Sequence, residues 1–303
     1  SPEYPELVTE ETKEWLYKKW RSLLSRASRE LISSEQCAFG FDITRDCQDA
    51  LARGVEAWVN SSLQRAQFHT GSAQFNGEWL FGTYFMAGMG FGQLAQAHPE
   101  DADKYLRPME VCIERLLSEE VRTFDREMWR EDPIESLNGA SHHAAYLGYL
   151  NLLLSFHRLL APESRHAELN DQITAVLVTR LEEAPFLLLQ SYPGEVYPVD
   201  NSAVISSIAL YGRATGANTE PLMKKWSANC RERWRDSRTG LLYQAMDPDT
   251  GEPLDVGRGS GTCLASYFLS FGDTALSEDF YRAARTQLAG TFCGFGGIRE
   301  YAA

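Results

Sequence analysis

The chain has 303 residues, of which 44% are hydrophobic, and a net charge of −13. This length and composition allow a large buried core. An acidic chain without a basic run is a poor partner for nucleic acid or for an anionic membrane surface.

Two helices are predicted at the start of the chain. Residues 9–33 combine a capping signal with Trp15, Trp20 and Leu31 at helical spacing, which indicates an amphipathic helix. A second helix is expected over residues 45–64. The chain begins at Ser1 rather than Met, which we interpret as removal of a tag or leader, with a membrane anchor as one option.

Four times, at a spacing of about 60 residues, a polar Gly-rich loop precedes a helix of small and aromatic residues. The expected starts of these helices are Glu78, Gly139, Asp200 and Ser260. Each is followed by a charged helical stretch, over residues 100–124, 163–183, 220–236 and 277–291. Small-residue helices with few charges must be buried on most sides, whereas charged amphipathic helices face water on one side.

This alternation predicts an inner ring of helices within an outer ring. We therefore expect one all-α domain over residues 1–303, an (α/α)6-type toroid. Its last hairpin is expected to be incomplete, because the next inner helix would start beyond residue 303. Residues 240–246 alternate like a strand before a turn at 247–251, which predicts a short β-hairpin there.

In such a toroid, the loops before the inner helices open on one face, so their polar residues should converge on one pocket. The third loop carries Glu195, Tyr197 and Asp200 at a helix start. A phenol and a carboxyl group could perform general acid–base catalysis if burial shifts their pKa values toward neutrality. The alternative is that Asp200 or Asn201 is simply the N-cap.

A second set of candidates follows Gly139. His142, Tyr146 and Tyr149 are spaced i, i+4 and i+7, so they would share one helix face. Histidine is the side chain best suited to transfer protons near pH 7. The alternative is that the three groups satisfy buried hydrogen bonds.

Other candidates for substrate binding lie at the helix starts and in the loops before them. Arg258 either clamps the substrate or pairs with Asp255 at the surface. The remaining candidates are Glu78, Trp79, Tyr84, Trp129, Asp132, Asn138 and Tyr192.

Signals for metals and cofactors are weak. The six cysteines lack CxxC spacing, and there is no GxSxG or phosphate-loop motif. The adjacent His142 and His143 would diverge by about 100° on a helix, so they cannot bind one metal together. We therefore expect no metal site and no cofactor. The longest apolar stretches fall short of the roughly 18 residues that a transmembrane helix needs.

Five short segments resemble the linalool dehydratase/isomerase superfamily. They are residues 129–135 (WREDPIE), 149–151 (YLN), 197–202 (YPVDNS), 234–243 (WRDSRTGLLY) and 247–251 (DPDTG). The resemblance implies an α/α toroid that is secreted or membrane-attached and catalyses metal-independent acid–base chemistry on an alkenol. Ser191 and Asp200 stand where the founding enzyme has cysteines, and Tyr149 stands where it has its catalytic histidine.

Three functions remain open at this point. The first is a cofactor-free lyase or isomerase of a small hydroxylated substrate, with Tyr197, Asp200, His142 and Tyr149 as catalytic residues. The second is a carbohydrate-processing toroid (a glycosidase, polysaccharide lyase or epimerase) that uses paired carboxylates. The third is a non-catalytic binding domain. We expect the ligand to be an alkenol or a sugar and the protein to be extracytoplasmic. Whether the protein forms a homo-oligomer stays open.

Overall fold

The computed structural model describes residues 45–292 and 295–302. The helix expected over residues 9–33 lies outside these ranges. The described chain is mostly helical, with one small two-stranded sheet. The helices are α1 (Arg45–Val59), α2 (Ala73–Ala97), α3 (Ala102–Leu116), α4 (Glu119–Trp129), α5 (Ala144–Leu160), α6 (Ala167–Glu183), α7 (Pro198–Thr215), α8 (Glu220–Asn229), α9 (Gly259–Leu269) and α10 (Thr274–Leu288). The antiparallel strands are β1 (Ala289–Phe292) and β2 (Phe295–Ile298).

Two compact units are distinguished, residues 1–54 and residues 55–303. Helices α2 to α10 and both strands belong to the second unit. Among the described helices, none is both long enough and apolar enough to cross a bilayer. The expectation of one domain over residues 1–303 stays a prediction.

Four helices of small and aromatic residues form the interior of the second unit. Helix α5 packs against α2 and along α7, and α7 packs against α9. The approach of α5 to α7 is close because Gly148 has no side chain; a Cβ there would lie 2.5 Å from Val204. The charged helices cover this interior: α3 packs on α2, α6 on α5 and α7, α8 on α7, and α10 on α9.

Two of the four expected helix starts were wrong by five residues. Helix α2 begins at Ala73 rather than at Glu78, because the Ser72 side chain caps it by accepting a hydrogen bond from the backbone of Phe75. Helix α5 begins at Ala144 rather than at Gly139, because His143 adopts a left-handed backbone with φ of 49°. Helices α7 and α9 begin within two residues of the expected positions.

The β-hairpin expected around residues 240–251 is present in irregular form. Across the turn, Tyr243 pairs antiparallel with Gly257 and Met246 with Pro253, but these are isolated bridges rather than continuous strands. The continuous two-stranded sheet pairs Ala289–Phe292 with Phe295–Ile298. Pro248 and Pro253 lack the N–H groups that a continuous ladder needs. The Asp247 side chain instead accepts hydrogen bonds from the backbone of Asp249 and Thr250, which closes a local turn.

Candidate functional site

A cavity of about 810 Å³ lies among α2, α5, the loop before α7 and the starts of α7 and α9. We call it the polar cavity, because carboxyl and phenol groups share its walls with aromatic rings. Seven sequence candidates line it: Glu78, Tyr149, Tyr192, Glu195, Tyr197, Asp200 and Arg258.

The first polar contact in this cavity joins α5 to α7. The phenol of Tyr149 donates a hydrogen bond to Oδ1 of Asp200 over 2.8 Å. The Tyr149 ring is held between Phe85 and Phe268, whose ring centroids each lie 5.0 Å from it. Burial, the charge of Asp200 and this hydrogen bond hold the pKa of Tyr149 well above its usual value, so the phenol stays protonated.

Asp200 is a carboxyl group of the cavity whose pKa is shifted toward neutrality. Burial raises the pKa of Asp200 to about 6, and the negative charge of Glu78 acts in the same direction. The Tyr149 phenol and the Ser191 hydroxyl oppose this rise, although Ser191 Oγ has no partner of normal hydrogen-bond geometry among the described residues. Asp200 occupies the first turn of α7, whose dipole also favours the carboxylate. Burial is the stronger effect.

Asp200 and Asn201 do not cap α7, so the capping interpretation is wrong. The N-cap residue is Tyr197, without a side-chain cap, and Pro198 occupies the first helical position. Asn201 instead pairs with the backbone of Leu189, accepting over 2.7 Å and donating over 2.9 Å. This pair fastens the loop before α7 to the helix.

The second phenol–carboxyl pair joins that loop to α2. Tyr192 donates to Oε1 of Glu78 over 2.7 Å, and Gln74 donates to the same oxygen over 3.1 Å. Burial and the Glu78 charge raise the pKa of Tyr192, so it also stays protonated. Glu78 is half-buried and faces the cavity. Sequence reasoning missed Gln74, because a helical amide carries no local signature.

A tight turn positions the third pair. Pro193 and Gly194 occupy the centre of a turn between Tyr192 and Glu195, and Gly194 has φ of 79°, which a glycine adopts without strain. Tyr197 donates to Oε2 of Glu195 over 2.7 Å. Burial and this hydrogen bond raise the pKa of Tyr197.

Arg258 contributes a positive charge to the polar cavity. Its guanidinium forms an ion pair with Asp255, which also lines the cavity. The expected pairing of Arg258 with Asp255 is therefore present, and the pair lies in the cavity wall. Gln244 lines the same wall, and its Oε1 is buried without a hydrogen-bond partner among the described residues. Gln244 was missed because it lies in the segment expected to be a strand.

The structure places His142 outside the polar cavity. It precedes α5 rather than lying on it, so it does not share a helix face with Tyr146 and Tyr149. Its Nδ1 accepts a hydrogen bond from the backbone of Gln190 over 2.9 Å. Burial and the positive charge of Arg180 lower the pKa of His142, which favours the neutral ring. His142 supports the loop that carries Tyr192.

Tyr146 and Tyr84 are buried away from the cavity. Tyr146 has no exposed surface and donates to the carbonyl of Leu116 over 2.7 Å. Tyr84 is 1% exposed and lies near the backbone of Leu63. Burial raises the pKa of both phenols. Both belong to the core, because their helix faces turn toward α3 and the segment before α2.

Four further candidates also lie elsewhere. Trp129 donates to the carbonyl of Ser191 over 3.2 Å, and Asp132 accepts from Arg122 over 2.6 Å. Asn138 is exposed at the end of a 3₁₀ turn, and Trp79 is 61% exposed, next to a different cavity. None of the four lines the polar cavity.

His143, the neighbour of His142 in the sequence, has a buried partner that the sequence did not indicate. Nδ1 of His143 lies 2.5 Å from Oδ2 of Asp125, and both side chains are fully buried. Burial raises the pKa of Asp125. The ring of Trp129 stacks on His143 with centroids 4.6 Å apart. This cluster supports the segment that leads to Tyr192, because Trp129 also contacts Ser191.

Within residues 45–292 and 295–302, there is no group of three or more His, Cys, Asp or Glu side chains placed to hold a metal ion. Most of the polar groups that line the cavity are phenols and carboxyls, which can donate, accept and transfer protons. Comparisons of the chain with protein-family models and with curated proteins find no match.

Proposed function

We propose that the protein is a lyase or isomerase that uses acid–base catalysis on a small hydroxylated substrate bound in the polar cavity. The observation that carries this proposal is Asp200, whose pKa of about 6 lies near physiological pH and is raised in part by a second cavity carboxyl group, Glu78. A group with such a pKa exists in both protonation states and can transfer protons in either direction.

A dehydration illustrates the chemistry. Protonated Asp200 donates its proton to the substrate hydroxyl, the C–O bond breaks, and water leaves with that bond's electron pair. The Glu78 carboxylate removes a proton from the neighbouring carbon, and the C–H electron pair forms the C=C bond. The proton on Glu78 then returns to Asp200 through water, which restores both groups. The reverse sequence hydrates an alkene, and alternating the two moves a hydroxyl group.

The phenols orient this pair of carboxyl groups. Tyr149 and Tyr192 stay protonated and each donates to one carboxyl group, Asp200 and Glu78 respectively. This leaves the other oxygen of each carboxyl group to contact the substrate. The chemistry requires no metal or cofactor.

The proposal includes the finer fold and the location. We propose an α/α toroid related to the linalool dehydratase/isomerase superfamily, in an extracytoplasmic location. Support comes from the alternation of buried and charged helices and from the five sequence segments that resemble that family. The Asp at position 200, in place of a cysteine, favours a substrate whose reacting end is more polar than that of a terpene alcohol.

A carbohydrate-processing enzyme is the second candidate. It is favoured by the number of acidic groups in the polar cavity: Glu78, Glu195, Asp200 and Asp255 accompany one arginine. Several carboxylates beside aromatic rings are also typical of sugar sites. A non-catalytic binding domain would use the same groups as hydrogen-bond partners.

Solvent exchange tests the chemistry. Purified protein is incubated in deuterated water with panels of alkenols and of oligosaccharides. We expect deuterium to enter the alcohol at the carbon next to the hydroxyl-bearing carbon. Asp200→Asn and Glu78→Gln should each reduce this exchange at least about 100-fold, whereas the exposed-site controls Asp249→Asn and Glu135→Gln should not.

Hydrolysis of oligosaccharides without carbon–hydrogen exchange would overturn the first choice in favour of a glycosidase. A chelator provides a second check. Activity should survive it, and loss that added Ca²⁺ or Zn²⁺ restores would contradict a metal-independent reaction.

A further inference from the structure

A second cavity, of about 820 Å³, adjoins the polar cavity. Its walls come from the last turn of α1, which belongs to the second unit, and from α2, α5 and α9; they are mainly apolar, with Val55, Trp58, Met86 and Leu264 among them. We call it the apolar cavity. It shares three wall residues with the polar cavity: Glu78, Gly82 and Tyr149.

Three polar side chains of the apolar cavity, those of Thr83, Tyr149 and Glu78, already have hydrogen-bond partners. The Thr83 hydroxyl donates to the carbonyl of Trp79 over 2.7 Å. Tyr149 donates to Asp200, and Glu78 accepts from Tyr192. A ligand there would therefore gain more from burying apolar surface than from hydrogen bonds.

Gly82 lies in the wall that the two cavities share. It lies one turn after Glu78 on α2, and a Cβ added at Gly82 would meet no heavy atom within 4 Å. Gly82 lies inside α2, so no turn requires a glycine there, and no neighbouring helix comes close enough to require one. In a helix interior, glycine is unfavourable by about 1 kcal/mol. What distinguishes Gly82 from other uncrowded glycines of α2, such as Gly90, is that the free space next to it belongs to both cavities.

We propose that the two cavities form one bipartite site, in which the substrate's hydroxylated head occupies the polar cavity and an attached aliphatic chain passes Gly82 into the apolar cavity. Gly82 is then the residue that determines whether long-chain substrates are accepted. This inference rests on the proposed function, because that function places the reacting hydroxyl group beside Asp200.

The exposed surface favours an aliphatic occupant. Three of the large hydrophobic side chains that water reaches, Trp58 (48% exposed), Trp79 (61%) and Met86 (39%), border this one cavity. Clustered exposed apolar side chains mark a site for an apolar ligand more often than isolated ones do. A chain continuous with the head group would cover them without a second binding event.

Binding of a homologous series of straight-chain alcohols, measured by calorimetry, tests the inference. In the wild type, affinity should rise about fourfold for each methylene that enters the apolar cavity. Gly82→Leu should remove most of this rise, so the affinity ratio of long to short alcohols falls. Gly90→Leu is the matched control: Gly90 lies on the same helix, with nothing within 4 Å of its added Cβ, and lines neither cavity.

A second variant keeps the test informative if Gly82→Leu does not fold. Met86→Glu introduces a charge at an exposed position of the apolar cavity, and it should also flatten the dependence on chain length. The inference is overturned if the wild-type affinity does not depend on chain length. It is also overturned if the affinities of both Gly82→Leu and Met86→Glu rise with each methylene as much as that of the control Gly90→Leu.

Failure of the inference differs from failure of the proposed function. One outcome is that the wild type shows no deuterium exchange while Asp200→Asn keeps the rise of affinity with chain length. That result would refute the proposed chemistry but support the bipartite site. Deuterium exchange into short alcohols, together with an affinity that does not depend on chain length, would support the chemistry and refute the bipartite site.

Discussion

Tyr149 Oη and Asp200 Oδ1 lie 2.8 Å apart in the wall of the polar cavity, although 51 residues separate them in the chain. This hydrogen bond stabilises the carboxylate form of Asp200 and so works against the burial that raises its pKa. The pair therefore sets the pH at which Asp200 can still donate a proton.

Tyr149→Phe should move the pH dependence of activity. Removing the phenol removes a group that lowers the Asp200 pKa, so this pKa should rise above about 6. If protonated Asp200 is the acid, activity falls as pH increases through this pKa, and the alkaline limb of kcat/KM should shift to higher pH in the variant. The measurement is the pH profile of both proteins.

Tyr146→Phe is the matched control on the same helix. Its hydroxyl bonds to the carbonyl of Leu116 and is remote from Asp200, so the alkaline limb should stay in place. The lost hydrogen bond should still reduce the free energy of unfolding by about 1 kcal/mol. Identical pH profiles for the two variants would contradict the assigned role of Tyr149.

Asp200→Asn should stabilise the fold at neutral pH while reducing activity. The folded-state pKa of about 6 exceeds the reference value of 3.8, so the folded protein binds the proton more tightly than the unfolded chain does. This group's contribution to stability is thus fully present below pH 4 and decreases as pH rises toward 6.

The uncharged amide avoids that loss. The free energy of unfolding of the variant should exceed that of the wild type by about 1–3 kcal/mol at neutral pH, with a smaller difference near pH 4. Denaturant unfolding at both pH values measures this. Equal destabilisation at the two values would instead indicate a purely structural Asp200.

The helix alternation and much of the polar cavity could be predicted from the sequence. Local composition determines which helices are buried, so the four small-residue helices were recognised, and Tyr149 and Asp200 followed from them. His142 was misplaced because the periodicity argument extended α5 back to Gly139. Arg180, about 40 residues further along, contacts the carbonyls of Gly139 and His142 and holds this segment out of the helix.

The pairing of the polar groups could not be predicted. Tyr192 and Glu78 are 114 residues apart, and their contact depends on how the turn at Gly194 approaches α2. Asp125 and His143 pair only because α4 passes the start of α5. Neither contact leaves a periodic signal in the sequence, since each depends on long-range packing.

His142→Ala should reduce stability rather than catalysis. The change leaves the backbone N–H of Gln190 without its acceptor, which costs about 1–3 kcal/mol in a half-buried environment. The kcat of the folded protein should remain within a few-fold of wild type. His142→Asn can place an amide oxygen near the lost Nδ1 and should recover part of the stability. A roughly 100-fold loss of kcat in a stable His142→Asn protein would restore His142 as a catalytic candidate.

Asp125→Ala should be the most destabilising of these changes. It leaves the fully buried His143 without its partner at 2.5 Å, and the nearest other carboxylate oxygen, on Glu131, is 3.7 Å from the opposite ring nitrogen. Breaking a buried polar pair from one side costs about 3–5 kcal/mol. Asp132→Ala is a suitable comparison, because the partner of Asp132, Arg122, is partly exposed and can be solvated.

A double-mutant cycle separates the pair from the two individual side chains. Asp125→Ala combined with His143→Ala should cost clearly less than the sum of the single changes, since neither group is then left buried alone. Because Trp129 stacks on His143 and bonds to Ser191, the single variants should also weaken substrate binding through displacement of Tyr192. Additive free energies in the cycle, with an unchanged KM, would show that Asp125 and His143 neither depend on each other nor support the polar cavity.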